Sequence, residues 1–337
     1  MRWGRDAALV GAGLAVVALL CRVFGFGELM AALRRATPLY LAMYLACTGC
    51  VLCGFALRWR LLAGAVGDRE PLLRLMAARL AGDAVGGLVP SAKLAGDPVR
   101  AALLYRQGQS GTRATAGVAI DRVVEMVNNS LCAVAYVTVF SLAHAGDPLE
   151  GSILLLLGTM LLLLVAAALP IAMLRRGRRP LAPLYAVGCR VPKLHGMIET
   201  IRQTEEHLIE FFRAHPGVFL RGVVLSLLIE GLQILQFDFL LRSFGLDLQI
   251  PTLLMVLLAG GLARAVPTPA SLGALESGEV AVLAAAAGRA DIGFVVGMVM
   301  RLHDTLWTFV GLVVLSAEGW SLPGASALRA AQPAPEA

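Results

Sequence analysis

GGLVPSAKLAGDPVR, residues 86–100, places two prolines, three glycines and the charges of Lys93, Asp97 and Arg100 inside a strongly apolar chain. Pro90 has no N–H and restricts the residue before it, so a helix arriving there must end. In lipid, backbone groups freed by such a break are satisfied only by protein, water or a bound polar group. Two readings follow. The break is a ligand-facing site, where exposed N–H and C=O groups and the flanking charges hold a polar group, or it is a tight turn between helices. Residues 252–288 are interrupted by glycine and proline in the same manner.

The rest of the composition explains why the solvent in question is lipid. Of 337 residues, 58% are hydrophobic and 15% charged, and the mean hydropathy is +0.76. A soluble domain is about half apolar and a quarter charged. The excess falls in long blocks, which identifies an all-α polytopic membrane protein. The net charge of +6 lies in arginines beside apolar runs. That pattern speaks for topology and contact with anionic lipid, not for a nucleic-acid partner. Cys47, Cys50 and Cys53 resemble a metal cluster in spacing, but they lie inside an apolar run with no fourth ligand, so they read as small residues on a helix face.

Apolar runs at 7–24, 39–57, 115–142, 152–174, 218–242 and 292–317 are long enough to span, giving about six full spans plus two broken or re-entrant segments, 80–96 and 252–288. The basic start of residues 1–21 lacks a small-x-small cleavage site and reads as a retained first helix. Arg58, Arg60, Arg69, Arg74 and Arg79 follow the second run, and Arg175, Arg176, Arg178 and Arg179 the fourth. Both are expected to mark cytoplasmic loops, with both termini cytoplasmic; Arg34 and Arg35 run against this. Within the loop 175–217, residues 194–212 place Leu194, Ile198, Ile201, Leu208, Phe211 and Phe212 near helical spacing. This amphipathic helix either lies on the bilayer or packs under the bundle. Residues 1–320 read as one membrane domain, and 321–337 as a disordered tail.

A repeat is visible. Gly-Gly-Leu precedes Val89-Pro90-Ser91 and again Val266-Pro267-Thr268; after four intervening residues each triplet is followed by a glycine, Gly96 and Gly273, and then an acid, Asp97 or Glu276. An arginine inside an apolar run follows each proline, Arg122 and Arg301, and a helix-end arginine precedes each, Arg58 and Arg242. With the topology above, the halves are inverted. Paired Gly/Pro-interrupted segments in corresponding positions mark the binding site of many transporters.

Charges also lie within the runs. Asp121, Glu125 and Asn128 fall at i, i+4 and i+7 and form one stripe, with Arg122 beside them. Glu230, Gln233, Gln236 and Asp238 lie in the fifth run, Arg264 precedes the second break, Glu276 and Glu279 follow it, and Arg301, His303 and Asp304 lie in the last run. A charge at mid-membrane costs about 2.5–3.5 kcal/mol on insertion scales, so these groups either lock helices together or line a polar cavity. Lys93 either meets a phosphate or pairs with Asp97. There is no phosphate-binding loop, no metal-ligand spacing and no nucleophile elbow, so neither an enzyme nor a cofactor is expected.

LVPSAKLAGDPVRAALLYRQG (88–108), AGVAIDRVV (116–124) and AVPTPASLGALESGEVAVL (265–283) together resemble the lysylphosphatidylglycerol synthase transmembrane region, the flippase-like domain family. The matching positions are Pro90, Gly96, Asp97 and Arg100; Asp121 and Arg122; and Pro267, Gly273 and Glu276. Ala95 and Thr268 depart from the family pattern, each standing where a glycine is common. Members that synthesise lysylphosphatidylglycerol carry a soluble aminoacyl-transfer domain after the membrane part, and residues 321–337 do not supply one.

The resemblance implies movement of a polar-headgroup lipid (a phospholipid, an aminoacylated lipid or an isoprenoid-linked lipid) between leaflets of a bacterial plasma membrane. The substrate-binding residues would be Pro90, Lys93, Gly96, Asp97, Arg100, Asp121, Arg122, Glu125, Arg264, Pro267, Gly273, Glu276 and Arg301, with membrane lipids as partners. Two alternatives stay open: a non-catalytic partner of a lipid-synthesis enzyme, and a membrane-embedded lipid phosphatase.

Overall fold

A computed structural model describes residues 34, 36–67, 70–89, 94–145, 150–183, 185, 195–265 and 290–317. The elements are α1 (Pro38–Ala63), α2 (Leu72–Leu88), α3 (Gly96–Arg106), α4 (Gly111–Ala143), α5 (Glu150–Arg175), α6 (His195–Ala214), α7 (Pro216–Ser243), α8 (Ile250–Ala265) and α9 (Ala290–Ala317). No strand occurs among the described residues. Helices α1, α4, α5 and α7 are long and apolar enough to cross a membrane, matching the runs at 39–57, 115–142, 152–174 and 218–242. α9 covers the run at 292–317 with 28 residues. The run at 7–24, the tail 321–337, most of the break at 89–95 and the whole of 266–289 lie outside the described residues.

The bundle is organised about the antiparallel pair α1 and α7. At one end Thr37 N–H donates to the Ser243 carbonyl at 2.8 Å. Midway Gly54 lies against Ile229, and at the other end Gly222 lies against Leu62. Proline opens both helices, where its missing N–H costs nothing. The second end gathers the arginine-rich connections after α1 and α5. There Leu62, Ile120, Leu174, Leu208, Phe211, Phe212 and Val223 form one buried cluster. At the opposite end Tyr44, Phe237, Leu241, Leu246, Leu253 and Val296 form another.

α2 enters from the arginine-rich end and stops at Leu88; α3 then returns to the same end. With 11 residues, α3 is about 16 Å long, too short for a hydrocarbon core of about 30 Å. This is the re-entrant hairpin that the stretch 86–100 predicts. α8 leads towards the second break from the opposite end, the direction an inverted repeat requires.

Gly96 enables close approach, but to protein backbone: a Cβ there would sit 2.2 Å from the Gly82 carbonyl oxygen. On the other side of α2, Gly311 of α9 is equally tight, with an added Cβ 2.2 Å from the Leu80 carbonyl oxygen. α2 is thus clamped between the backbones of α3 and α9.

The amphipathic segment forms α6 and packs under the bundle. Ile198, Leu208, Phe211 and Phe212 are buried, so its apolar face is spent on protein contacts. One polar residue turns inward as well. Glu205 is fully buried and accepts from Leu181 N–H at 2.8 Å and from the Tyr185 hydroxyl. Burial and this hydrogen bond push the Tyr185 phenol up, so it stays a neutral donor.

Gly311→Ala forces backbone apart and should destabilise by about 1–3 kcal/mol. Gly231→Ala, with nothing within 4 Å of the added carbon, should be neutral or better. Thermal unfolding of both variants in detergent checks the contrast.

Candidate functional site

Four helices meet on one carboxylate. Asp121 of α4 is wholly buried. Its Oδ1 accepts from Arg58 Nε of α1 at 2.8 Å; its Oδ2 accepts from Arg79 Nη1 of α2 at 3.1 Å and from Arg100 Nη2 of α3 at 2.7 Å. A carboxylate has about four acceptor positions, so three guanidiniums nearly saturate it. Arg58 also donates through Nη1 to Ser226 Oγ of α7 at 3.2 Å, bringing in a fifth helix. The guanidinium planes rest on rings of α1: Arg79 lies 4.1 Å over Phe55, and Arg100 4.1 Å over Trp59.

A second pair stands beside it. Arg122 Nε and Nη2 donate to the two oxygens of Asp97, each at 2.8 Å. This fork joins α4 to the first turn of α3, immediately after the break. Glu125 completes the set, 3.4 Å from Arg58, 3.6 Å from Arg79 and 3.6 Å from Arg122.

Exposure sorts the cluster into a floor and a mouth. Asp121, Arg58, Arg79 and Arg100 form the buried floor. The side chains of Arg122, Asp97 and Glu125 are 20%, 19% and 21% exposed. Asp83, 3.5 Å from Arg79, is 45% exposed at the rim. Four arginines face three inner carboxylates, an excess of one positive charge before the rim acid is included. Arg79 Nε, whose neighbour is Asp83 at 3.5 Å, and Arg100 Nε are buried and make no hydrogen bond among the described residues.

Of the residues singled out from the sequence, the structure brings Gly96, Asp97, Arg100, Asp121, Arg122 and Glu125 together. Pro90, Lys93, Pro267, Gly273 and Glu276 lie outside the described residues. Arg264 and Arg301 lie on α8 and α9, with side chains outside the description. One reading needs correction. Arg58 and Arg79, taken as loop charges that set topology, are helical and buried. Their shared partner Asp121 is 63 and 42 residues away in sequence, so no local pattern announces that contact. The phenylalanine and tryptophan beside Arg58, at 55 and 59, were the available hint. The Asp121–Arg122 neighbours are not a pair with each other; each pairs across helices. Among the described residues no group of three His, Cys, Asp or Glu is placed to hold a metal ion.

The family described as "lysylphosphatidylglycerol synthase TM region" matches residues 7–315. A UPF0104 membrane protein of Methanothermobacter thermautotrophicus is 28% identical over 284 residues, covering 81% of this chain and 83% of the relative. A second UPF0104 membrane protein of that organism is 31% identical over 132 residues, covering 39% of this chain and 37% of the relative.

Neutralising the floor and the rim should differ sharply. Asp121→Asn leaves three buried guanidiniums around a neutral amide and should cost about 3–5 kcal/mol, seen as loss of a monodisperse, helical protein. Asp83→Asn at the rim should change stability by no more than about 1 kcal/mol. The check is size-exclusion behaviour and thermal unfolding of the two variants side by side.

Proposed function

The chain belongs to the lysylphosphatidylglycerol synthase transmembrane-region family, and on that premise we propose that it moves a lipid with a phosphate-bearing headgroup between the leaflets of the cell membrane. The observation that carries this reading is the partly exposed Arg122–Asp97 fork, backed by the arginine-rich floor, beside an apolar, exposed break. Leu88, Val89 and Leu94, the residues flanking the break, are 37%, 43% and 56% exposed. Asp97 and Arg122 follow directly on the protein side. Apolar surface open to acyl chains and a partly exposed guanidinium thus lie within one short stretch of fold.

The chemistry is an exchange of partners. Arg122 presents a planar fork that suits a phosphate as well as a carboxylate. A headgroup phosphate takes the Arg122 fork, and Asp97, released, turns to a headgroup amine or to water. The floor arginines cannot follow, because Asp121 holds them; they supply fixed positive potential behind the mouth. The positive-inside rule puts the arginine-rich end, with Arg74 and Arg175 to Arg179, in the cytoplasm, so the hairpin opens to lipid from that side.

A role as membrane partner of a lipid-synthesis enzyme is the second reading. The apolar face of α6 is already buried, so docking would use its outward charged face, where Glu199, Arg202 and Glu206 are exposed.

Leaflet exchange of a fluorescent anionic phospholipid in proteoliposomes tests the transport reading. Arg122→Gln removes a charge-assisted contact worth about 1.5–3 kcal/mol, so exchange should fall by roughly tenfold to a hundredfold in a variant that size exclusion and circular dichroism show to be folded. Exchange by this variant at the parent rate would remove Arg122 from the headgroup path. No exchange above protein-free vesicles by the parent would remove the transport reading.

A further inference from the structure

The polar stripe on α4 does not end at Asn128. Asp121, Glu125, Asn128, Cys132 and Tyr136 follow one another at helical spacing; the first two meet the arginine cluster, and from Asn128 onward the stripe meets Glu230 of α7. From Asp121 to Tyr136 the stripe is about 22 Å long, most of the hydrocarbon thickness. At its deep end lies Glu230, near the middle of the 28-residue α7. Its Oε1 accepts from the Tyr136 hydroxyl, and its Oε2 accepts from Asn128 Nδ2 at 3.3 Å. Unlike Asp97, Asp121 and Glu125, Glu230 has only neutral donors among the described residues. It is half-buried.

The surroundings are accounted for from each packed element. α4 contributes Asn128, Tyr136 and the buried thiol of Cys132. On the α1 side the cation is Arg58, one turn away at Ser226, and its guanidinium is directed to Asp121, Ser226 and Glu125. α8 presents Leu254, Leu257 and Leu258 to this region. α6 reaches only the start of α7, through Phe212 against Phe219. α9 meets α7 at its far end, through Val296 and Val299, where His303 packs on Tyr44.

We propose that Glu230 is a proton-binding site, a carboxylate that takes up and releases one proton in the middle of the membrane. A second observation points the same way. Asn128 is buried, and its Oδ1 has no hydrogen-bond partner. Ionised, Glu230 accepts from the amide nitrogen. Protonated, its O–H has an acceptor in the same side chain after a half-turn of the amide, which brings Oδ1 to the carboxyl. Asn128 therefore serves both protonation states, and Tyr136 donates to either. The step is a simple addition: a carboxylate and a proton give a carboxylic acid, with no other bond made or broken. The stripe through Glu125 and the arginine cluster links this site to the headgroup mouth, so the proton is the coupling ion for the transport reading; that last link rests on the reading above.

Infrared difference spectroscopy of the full chain in lipid nanodiscs, during a stepwise change of pH, tests the site directly. The parent should show the C=O stretch of a protonated carboxyl growing in as pH falls. Glu230→Gln should lose that band, and Tyr136→Phe, which removes a donor to the carboxylate, should alter its pH dependence. Helical circular dichroism confirms that both variants are folded. A band that persists in folded Glu230→Gln, with its midpoint unmoved, overturns the site. In proteoliposomes an imposed pH gradient should change lipid exchange by the parent and not by Glu230→Gln; an equal response in both overturns the coupling. Failure of the parent to exchange lipid at all bears on the proposed function and leaves the infrared result standing.

Discussion

Everything at the centre of this molecule is arranged around the Asp121 carboxylate. Three guanidiniums from three helices converge on it in a setting where an unpaired charge would be intolerable. Removing any one helix would strand a buried arginine or leave the carboxylate short of donors. The cluster therefore does what hydrophobic burial cannot do inside lipid, where apolar side chains gain little by leaving the acyl chains for one another. It selects one relative placement of α1, α2, α3 and α4. The glycine contacts of Gly96 and Gly311 act with it, since the guanidiniums reach Asp121 only if the hairpin lies against its neighbours at backbone distance.

That rigidity frees the outer layer to respond. Arg122 and Asp97 are held chiefly by each other, with one longer contact of 3.4 Å from Arg100 of the floor to Asp97, and both are partly open at the edge of the break. A headgroup can compete for this fork without dismantling the core, and the excess positive charge of the floor favours an anion at the mouth. The polar stripe then extends the same logic towards Glu230. Locked charges and an exchangeable pair at one end of the α4 stripe, and the Glu230 carboxylate of α7 at the other, thus stand in different electrostatic settings.

Much of this was legible in the sequence, and the reasons are particular. Long apolar runs announce helices in lipid, so α1, α4, α5 and α7 emerge from hydropathy. Pro90 and its glycines announce the re-entrant hairpin, because a helix cannot pass through them. Asp121, Glu125 and Asn128 share a face through simple helical spacing. Other features depend on contacts between distant segments. Arg58 and Arg79 have the same flanking pattern as arginines that set topology, and only the packing of α1 and α2 against α4 turns them inward. The continuation of the stripe to Cys132 and Tyr136 looks apolar in sequence, and its polarity emerges only when Glu230 is placed opposite. Glu205 sits in a run of charged residues, yet it is the one drawn under the connection that carries Leu181 and Tyr185. For α6 itself, periodicity gave an apolar face but not its occupant; the bundle end supplies it.

The central claim is that the mouth formed by Arg122 and Asp97 holds a phosphate-bearing lipid. Mass spectrometry of the lipids retained by the purified chain tests it most directly, with the parent compared to Arg122→Gln prepared from the same membranes. The account predicts one phosphate-bearing lipid class enriched over the bulk membrane in the parent and reduced to the bulk level in the variant. Equal enrichment in both proteins, or a bulk profile in both, would contradict it.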